Sequence, residues 1–316
     1  MMIHVQRACR LALTCAVLSM MASPLCGQQN RQPKAAKNYP PTLPGAKVEV
    51  YKTIGDVQLQ AYIYFPENHK PGDDRPVAVF FFGGGWRAGT PSQFMQHCQH
   101  LASREMVAIT VDYRVASRHQ TKAVDCVSDA KSAIRWIREN HQRLGVDPER
   151  VLAGGGSAGG HLAACTAVVQ KYDETTENQR ISSVPNALAL FNPALVLAPV
   201  SGADPLDSER MAGLTARMGV APPELSPYHQ LRRGLPPTII FHGMADSTVP
   251  FKTAQQYTDK ARQLGNPCKL VGYPGQQHGF FNHSRGAKGR YQQTLQELDR
   301  FLVSLGYLQA TRRTDR

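Results

Sequence analysis

The chain has 316 residues, 42% of them hydrophobic and 19% charged, which fits one large α/β domain able to bury a sizeable core. The formal charge is +12, yet the excess is scattered apart from "LRRG" (231–234) and "TRRTDR" (311–316). No stripe of basic residues alternates with aromatics, which argues against nucleic-acid binding.

At the N-terminus, Arg7 and Arg10 precede the apolar run "LALTCAVLSMMA" (11–22) and then the small and polar "SPLCGQQN". A basic region, a short apolar core and a cleavage zone at 23–27 read as a secretory signal over residues 1–27, so the expected location is secreted or periplasmic. The apolar run is too short to cross a bilayer, which needs roughly 20 residues. Leu25 stands where a lipoprotein signal has a small residue, which argues against lipid anchoring at Cys26. No other stretch is long and apolar enough for a stable membrane span once the signal is removed. Residues 28–46, rich in Pro, Gln and Lys, read as a tether.

The domain itself is expected over 47–308, with a basic tail at 309–316. "KVEVYKTI" and "VQLQAYIYF" alternate around Gly55-Asp56, which is a hairpin signal. Strand and helix patterns then take turns. Strands are predicted at 77–82, 107–113, 150–155, 187–191, 238–243 and 268–273. Helices are predicted at 93–105, at 123–144 with Val124, Val127, Ile134 and Ile137 near one face, after the glycines at 154–160, at 253–265 and across 289–305. Uniformly apolar strands alternating with helices mean a mainly parallel sheet covered on both faces, here with an N-terminal antiparallel hairpin. A Pro-rich insertion at 192–236 breaks the alternation and reads as a lid or pocket wall.

The stretch "GGGSAGG" (154–160) fits two motifs. As G-x-G-x-x-G it would cradle a dinucleotide; one frame along it is the G-x-S-x-G nucleophile elbow. The first reading needs an acidic residue ending the next strand. Asp173 and Glu174 lie at about the right distance, but no strand leads into them. The second reading needs a base and a carboxylate, and the chain supplies both on loops after later strands. "FHGMADSTVPF" (241–251) presents Asp246, and "YPGQQHGFFN" (273–282) presents His278. Ser157, Asp246 and His278 follow three different strands, so all three can meet at the carboxyl edge of the sheet. Ala158 opens a helix and offers a backbone donor to an oxyanion. The glycine-rich loop "FFGGGW" (81–86) follows an earlier strand and offers others.

With "FGGGW" (82–86), "DYR" (112–114), "GGSAGG" (155–160), "HGMAD" (242–246) and "QHGF" (277–280), the chain from about 47 to 305 resembles an α/β-hydrolase. It is similar to the esterase/lipase group of hormone-sensitive lipase, and within it to bacterial secreted carboxylesterases related to acetyl xylan and feruloyl esterases. The resemblance implies Ser157 as nucleophile, His278 as base, Asp246 as its orienting carboxylate, and Gly84, Gly85 and Ala158 as the oxyanion donors. It implies a serine carboxylesterase without cofactor, acting on a small ester or an acylated carbohydrate. One departure stands out: Phe82 replaces the histidine that begins the family's His-Gly-Gly-Gly and usually braces that loop.

Trp86 reads as a wall of the acyl pocket or as buried packing. His242 and Asp112 read as structural, and Asp129 as bonded to local backbone. His161 and His283 lack metal-site spacing, and no metal site is expected. Cys98, Cys126, Cys165 and Cys268, the cysteines outside the leader, leave one or two bridges or four buried thiols open. Two other functions share this sequence: a peptidase or amidase on the same triad, and a hydrolase-fold binding protein without catalysis.

Overall fold

The computed structural model describes residues 39–200, 208–284 and 288–310. The expected leader 1–27, most of the expected tether and residues 311–316 lie outside the described residues. Among the described residues eight strands are seen: β1 (Lys47–Ile54), β2 (Val57–Tyr64), β3 (Arg75–Phe81), β4 (Val107–Val111), β5 (Val146–Gly156), β6 (Ala187–Phe191), β7 (Thr238–Gly243) and β8 (Cys268–Tyr273). They form one sheet in the order β1-β2-β4-β3-β5-β6-β7-β8. The first hairpin and the β2/β4 pair are antiparallel; every other pair is parallel. This is the α/β-hydrolase architecture.

Helices cover both faces: α1 (Met95–Ser103), α2 (Ala116–His119), α3 (Ala123–Glu139), α4 (His141–Leu144), α5 (Ala158–Val168), α6 (Ser208–Met218), α7 (Pro222–Leu225), α8 (Phe251–Gln263) and α9 (Lys288–Ser304). Side chains of a strand point alternately to its two faces, and the apolar strands therefore feed two cores. Val77, Val79 and Phe81 of β3 join Ala130 and Ile134 of α3, Leu162 of α5 and Tyr257 of α8 on one side. Ala78 and Phe80 join Leu101 of α1 and Leu298 and Leu302 of α9 on the other. Burying each Leu or Phe in such layers contributes roughly 1.5–3 kcal/mol. That explains why these strands are apolar throughout.

The single helix expected at 123–144 is broken. The Asn140 side chain donates to the Trp136 carbonyl at 2.8 Å, competing with the helical ladder, and Gly145 ends the next turn at φ 62°. The four cysteines named above are free, buried thiols. Among the described residues no helix is long and apolar enough to cross a membrane.

Register places the site. Phe81 pairs with Gly155, Gly156 with Phe191, Phe191 with Phe241, and Gly243 with Tyr273. The carboxyl ends of β3, β5, β6, β7 and β8 are thus level, and the loops that follow them open onto one rim.

Candidate active site

Ser157 stands between β5 and α5 at φ 54° and ψ −117°, a backbone state that costs a non-glycine residue about 1–3 kcal/mol. Its amide donates to the Phe191 carbonyl at 2.8 Å, which holds the turn against β6. The flanking glycines are a steric requirement: a Cβ on Gly155 would meet the Gly159 carbonyl, and one on Gly159 would fall on the Phe81 carbonyl oxygen. These glycines serve the elbow rather than a phosphate. Asp173, the acid of the dinucleotide reading, pairs instead with Lys131 and Arg135.

His278 Nε2 lies 3.0 Å from Ser157 Oγ, and its Nδ1 lies 2.7 Å from Asp246 Oδ2. Asp246 is fully enclosed, yet its oxygens are satisfied. Oδ1 accepts the amides of Thr248 and Val249, each at 2.9 Å, and Oδ2 accepts His278 and, at 2.8 Å, the amide side chain of Asn192. Burial raises this carboxyl's pKa, but the imidazoles of His242 and His278 and the Val249 amide outweigh it and hold the group well below the usual carboxylate range. An ionised carboxylate can only accept. The His278 proton therefore sits on Nδ1, leaving Nε2 to take one from Ser157. The structure brings the three predicted triad residues together from positions 121 and 32 residues apart in the chain.

The glycine-rich loop that follows β3 lies against the elbow. A Cβ on Gly83 would come 3.2 Å from Ser157 Cβ. The Gly83 amide is already taken, donating to Gln93 Oε1 at 2.6 Å. Gly84, at φ 138°, and Gly85, at φ 62°, turn the chain, and a side chain on Gly84 would strike the Ala88 carbonyl. Gly83, Gly84, Gly85, Ser157 and His278 all line one cleft of about 590 Å³. Ala158 follows Ser157 as the first residue of α5, where backbone N–H groups have no intrahelical acceptor.

A family model described as BD-FAE matches residues 62–261. The chain belongs to the BD-FAE family. This is an esterase family of α/β-hydrolase fold. Esterase 2 of Thermogutta terrifontis is 50% identical, covering 87% of this chain and 100% of its own, with a TM-score of 0.84. Carboxylesterase NlhH of Mycobacterium tuberculosis is 27% identical over 78% of this chain and 79% of its own. An isoprenylcysteine α-carbonyl methylesterase of Arabidopsis thaliana is 29% identical over 68% of this chain. The chain spans about half the length of the plant methylesterases it matches.

Within this BD-FAE chain, Phe82 is held by packing and by a hydrogen bond at its carbonyl. Its ring stacks on Tyr113 with centroids 4.1 Å apart, and the Tyr113 hydroxyl donates to the Phe82 carbonyl at 2.7 Å. Trp86 does not line the cleft. It is 4% exposed and packs in the core, where its indole N–H donates to His161 Nδ1 at 3.1 Å. Burial lowers the His161 pKa to about 4, which keeps that ring neutral and Nδ1 free to accept. His161 Nε2 in turn reaches the Leu225 carbonyl at 2.7 Å, tying α5 to the insertion.

Asp129 is not bonded to local backbone. It pairs with the Arg114 guanidinium at 2.9 Å and with Lys52 at 3.0 Å, fully buried. Asp112 binds the Tyr113 amide and Arg118, away from the cleft. His242 donates to the Val249 carbonyl at 2.8 Å and lies 3.5 Å from Asp246. Of the insertion, residues 192–200 and 208–236 are described. None of those lines the cleft, and the Arg217 guanidinium approaches Gly85 from it, 3.7 Å from the position of a Cβ there.

Sequence reasoning missed Asn192, which steadies Asp246, and Gln93 and Asn282, which join across the cleft at 2.9 Å. No motif surrounds Gln93. Asn192 does follow a predicted strand directly, a position that could have drawn attention to it.

Proposed function

We propose that this protein is a serine carboxylesterase. Ser157 Oγ attacks the ester carbonyl while His278 Nε2 takes its proton, and the oxyanion rests on the amides of Gly84, Gly85 and Ala158. His278 returns the proton to the leaving alcohol, and an acyl-enzyme forms. Water activated by the same imidazole then attacks the acyl carbonyl, releasing the acid and restoring Ser157. The observation that carries this reading is the continuous Ser157–His278–Asp246 chain at 3.0 and 2.7 Å.

The relatives support it. Esterase 2 of T. terrifontis is phosphonylated by sarin and phosphorylated by paraoxon, and it has been solved with propionate and with butyrate bound. We take short acyl groups as the preferred acids here. An acylated carbohydrate is our candidate for the natural ester. The cleft wall carries Thr90, Ser92, Gln96, Asn282 and Ser284, uncharged side chains that can exchange hydrogen bonds with sugar hydroxyls. The signal-like pattern of residues 1–27 supports export to where such polymers lie.

With p-nitrophenyl acetate or butyrate, the wild type turns over and Ser157→Ala loses roughly 10⁴-fold or more in kcat. Turnover by Ser157→Ala at the wild-type rate would rule the mechanism out. Release of acetate from acetylated xylan oligosaccharides tests the carbohydrate, and inertness toward every acylated sugar would discard it.

A further inference from the structure

Between the loop that carries the oxyanion donors and the loop that carries the base stands one amide side chain, Gln93. Its Oε1 accepts the Gly83 amide at 2.6 Å and its Nε2 donates to Asn282 Oδ1 at 2.9 Å. Asn282 Nδ2 donates in turn to the carbonyl of Gly279, the residue after His278, also at 2.9 Å. The relay spans 189 residues of chain between Gln93 and Asn282. It crosses the floor of the cleft, where positions for a Cβ on Gly83 and on Gly156 both fall 3.5 Å from the Gln93 amide group. Resting on the esterase reading above, we infer that Gln93 is a positioning residue that sets the oxyanion loop in register with His278.

Three features make the amide suited to that role. Without carrying charge it accepts at one end and donates at the other, so it can join two loops at once. Its base is rigid: Gln93 sits in a single 3₁₀ turn, Pro91–Phe94, opened by a proline. The Pro91 carbonyl accepts the Thr110 hydroxyl at 2.9 Å, and Phe94 stacks on Phe80 of β3 at 4.9 Å. Third, occupying the Gly83 amide commits the loop to one orientation. The next two amides, those of Gly84 and Gly85, are then the ones left to face substrate. A displacement of well under 1 Å in such donors is felt in the transition state more than in the ground state, so the relay's loss should appear in kcat before KM.

The test is a double-mutant cycle on p-nitrophenyl butyrate with Gln93→Ala, Asn282→Ala and the pair, with thermal unfolding recorded for each. Gln93→Ala should lower kcat about 10–100-fold with KM changed less than about threefold, and the double variant should fall no further than the worse single one. Gln93→Glu keeps an acceptor for Gly83 and should recover part of the lost kcat. It also serves where the alanine variant does not fold. The rate constant for inactivation by paraoxon should fall in parallel, because the phosphoryl oxygen uses the same donors. A Gln93→Ala kcat within twofold of wild type, or fully multiplicative losses in the double variant, would overturn the relay. In that case an active wild type leaves the esterase reading intact, whereas a wild type without hydrolysis removes the reading itself.

Discussion

Asp246 keeps its charge although it is enclosed, because four donors and a nearby imidazole meet its two oxygens. Its pKa is depressed, so it stays ionised as pH falls through the range where an imidazole gains a proton. The acid limb of kcat/KM should therefore follow one proton: log kcat/KM falls with unit slope below neutrality and does not steepen to a slope of two down to about pH 4. A second ionisation appearing near pH 4–5 would show that the carboxylate is not held as described. That Ser157, Asp246 and His278 meet at one rim was legible in the sequence, because each follows a different predicted strand of a parallel sheet. Asn192, Gln93 and Asn282 were not legible. An amide side chain serves many structural ends, and the contacts that matter here, Asn192 to Asp246 and Gln93 to Asn282, join residues 54 and 189 apart in the chain.

At the scale of elements, the glycine-rich loop after β3 is braced at Phe82 by Tyr113, which follows β4. Phe82, where the resembled family has a histidine, stacks on Tyr113, whose hydroxyl donates to the Phe82 carbonyl. Tyr113→Phe keeps the stack and orphans that buried carbonyl. It should cost about 1–3 kcal/mol in urea denaturation and lower kcat several-fold with little change in KM. Unchanged stability would mean that the carbonyl finds another donor. The strands were readable because the first two alternate about a turn signal and the central ones are unbroken apolar runs. The break in the long helix at 123–144 was not legible, since its apolar face runs past Asn140, whose side chain shares the Trp136 carbonyl with its own backbone N–H. The insertion at 192–236 was readable only as an interruption. Its tie to α5 through His161 and Leu225 depends on contacts that no local pattern encodes.

For the molecule as a whole, the two cores on either side of the sheet also enclose histidines that stay neutral. His97 sits among Phe94, Phe191, Phe281 and Tyr291, with neither ring nitrogen bonded, and burial lowers its pKa to about 3. Below its unfolded value near pH 6.5, an imidazole gains a proton in the unfolded chain that the folded one refuses until its own depressed pKa is reached. His97 and His161 thus contribute stability that is present above about pH 6.5 and is lost progressively toward pH 4. Replacing His97 with Leu removes one of these groups and an unpaired polar ring. At pH 5 the variant should be more stable than wild type by roughly 1 kcal/mol or more, and the gap should narrow at pH 8. A variant less stable than wild type at both pH values would show that the ring has partners beyond its aromatic cage.

The convergence of three distant loops at one rim is the claim on which the rest depends, and it is tested most directly by labelling with paraoxon followed by peptide mass spectrometry. Attack of Ser157 Oγ on phosphorus expels p-nitrophenolate and leaves one diethylphosphoryl group per chain. The label should sit on the peptide containing Ser157, form in step with loss of esterase activity, and slow greatly in His278→Ala. Label on any other residue, or full inactivation with Ser157 unmodified, would contradict it.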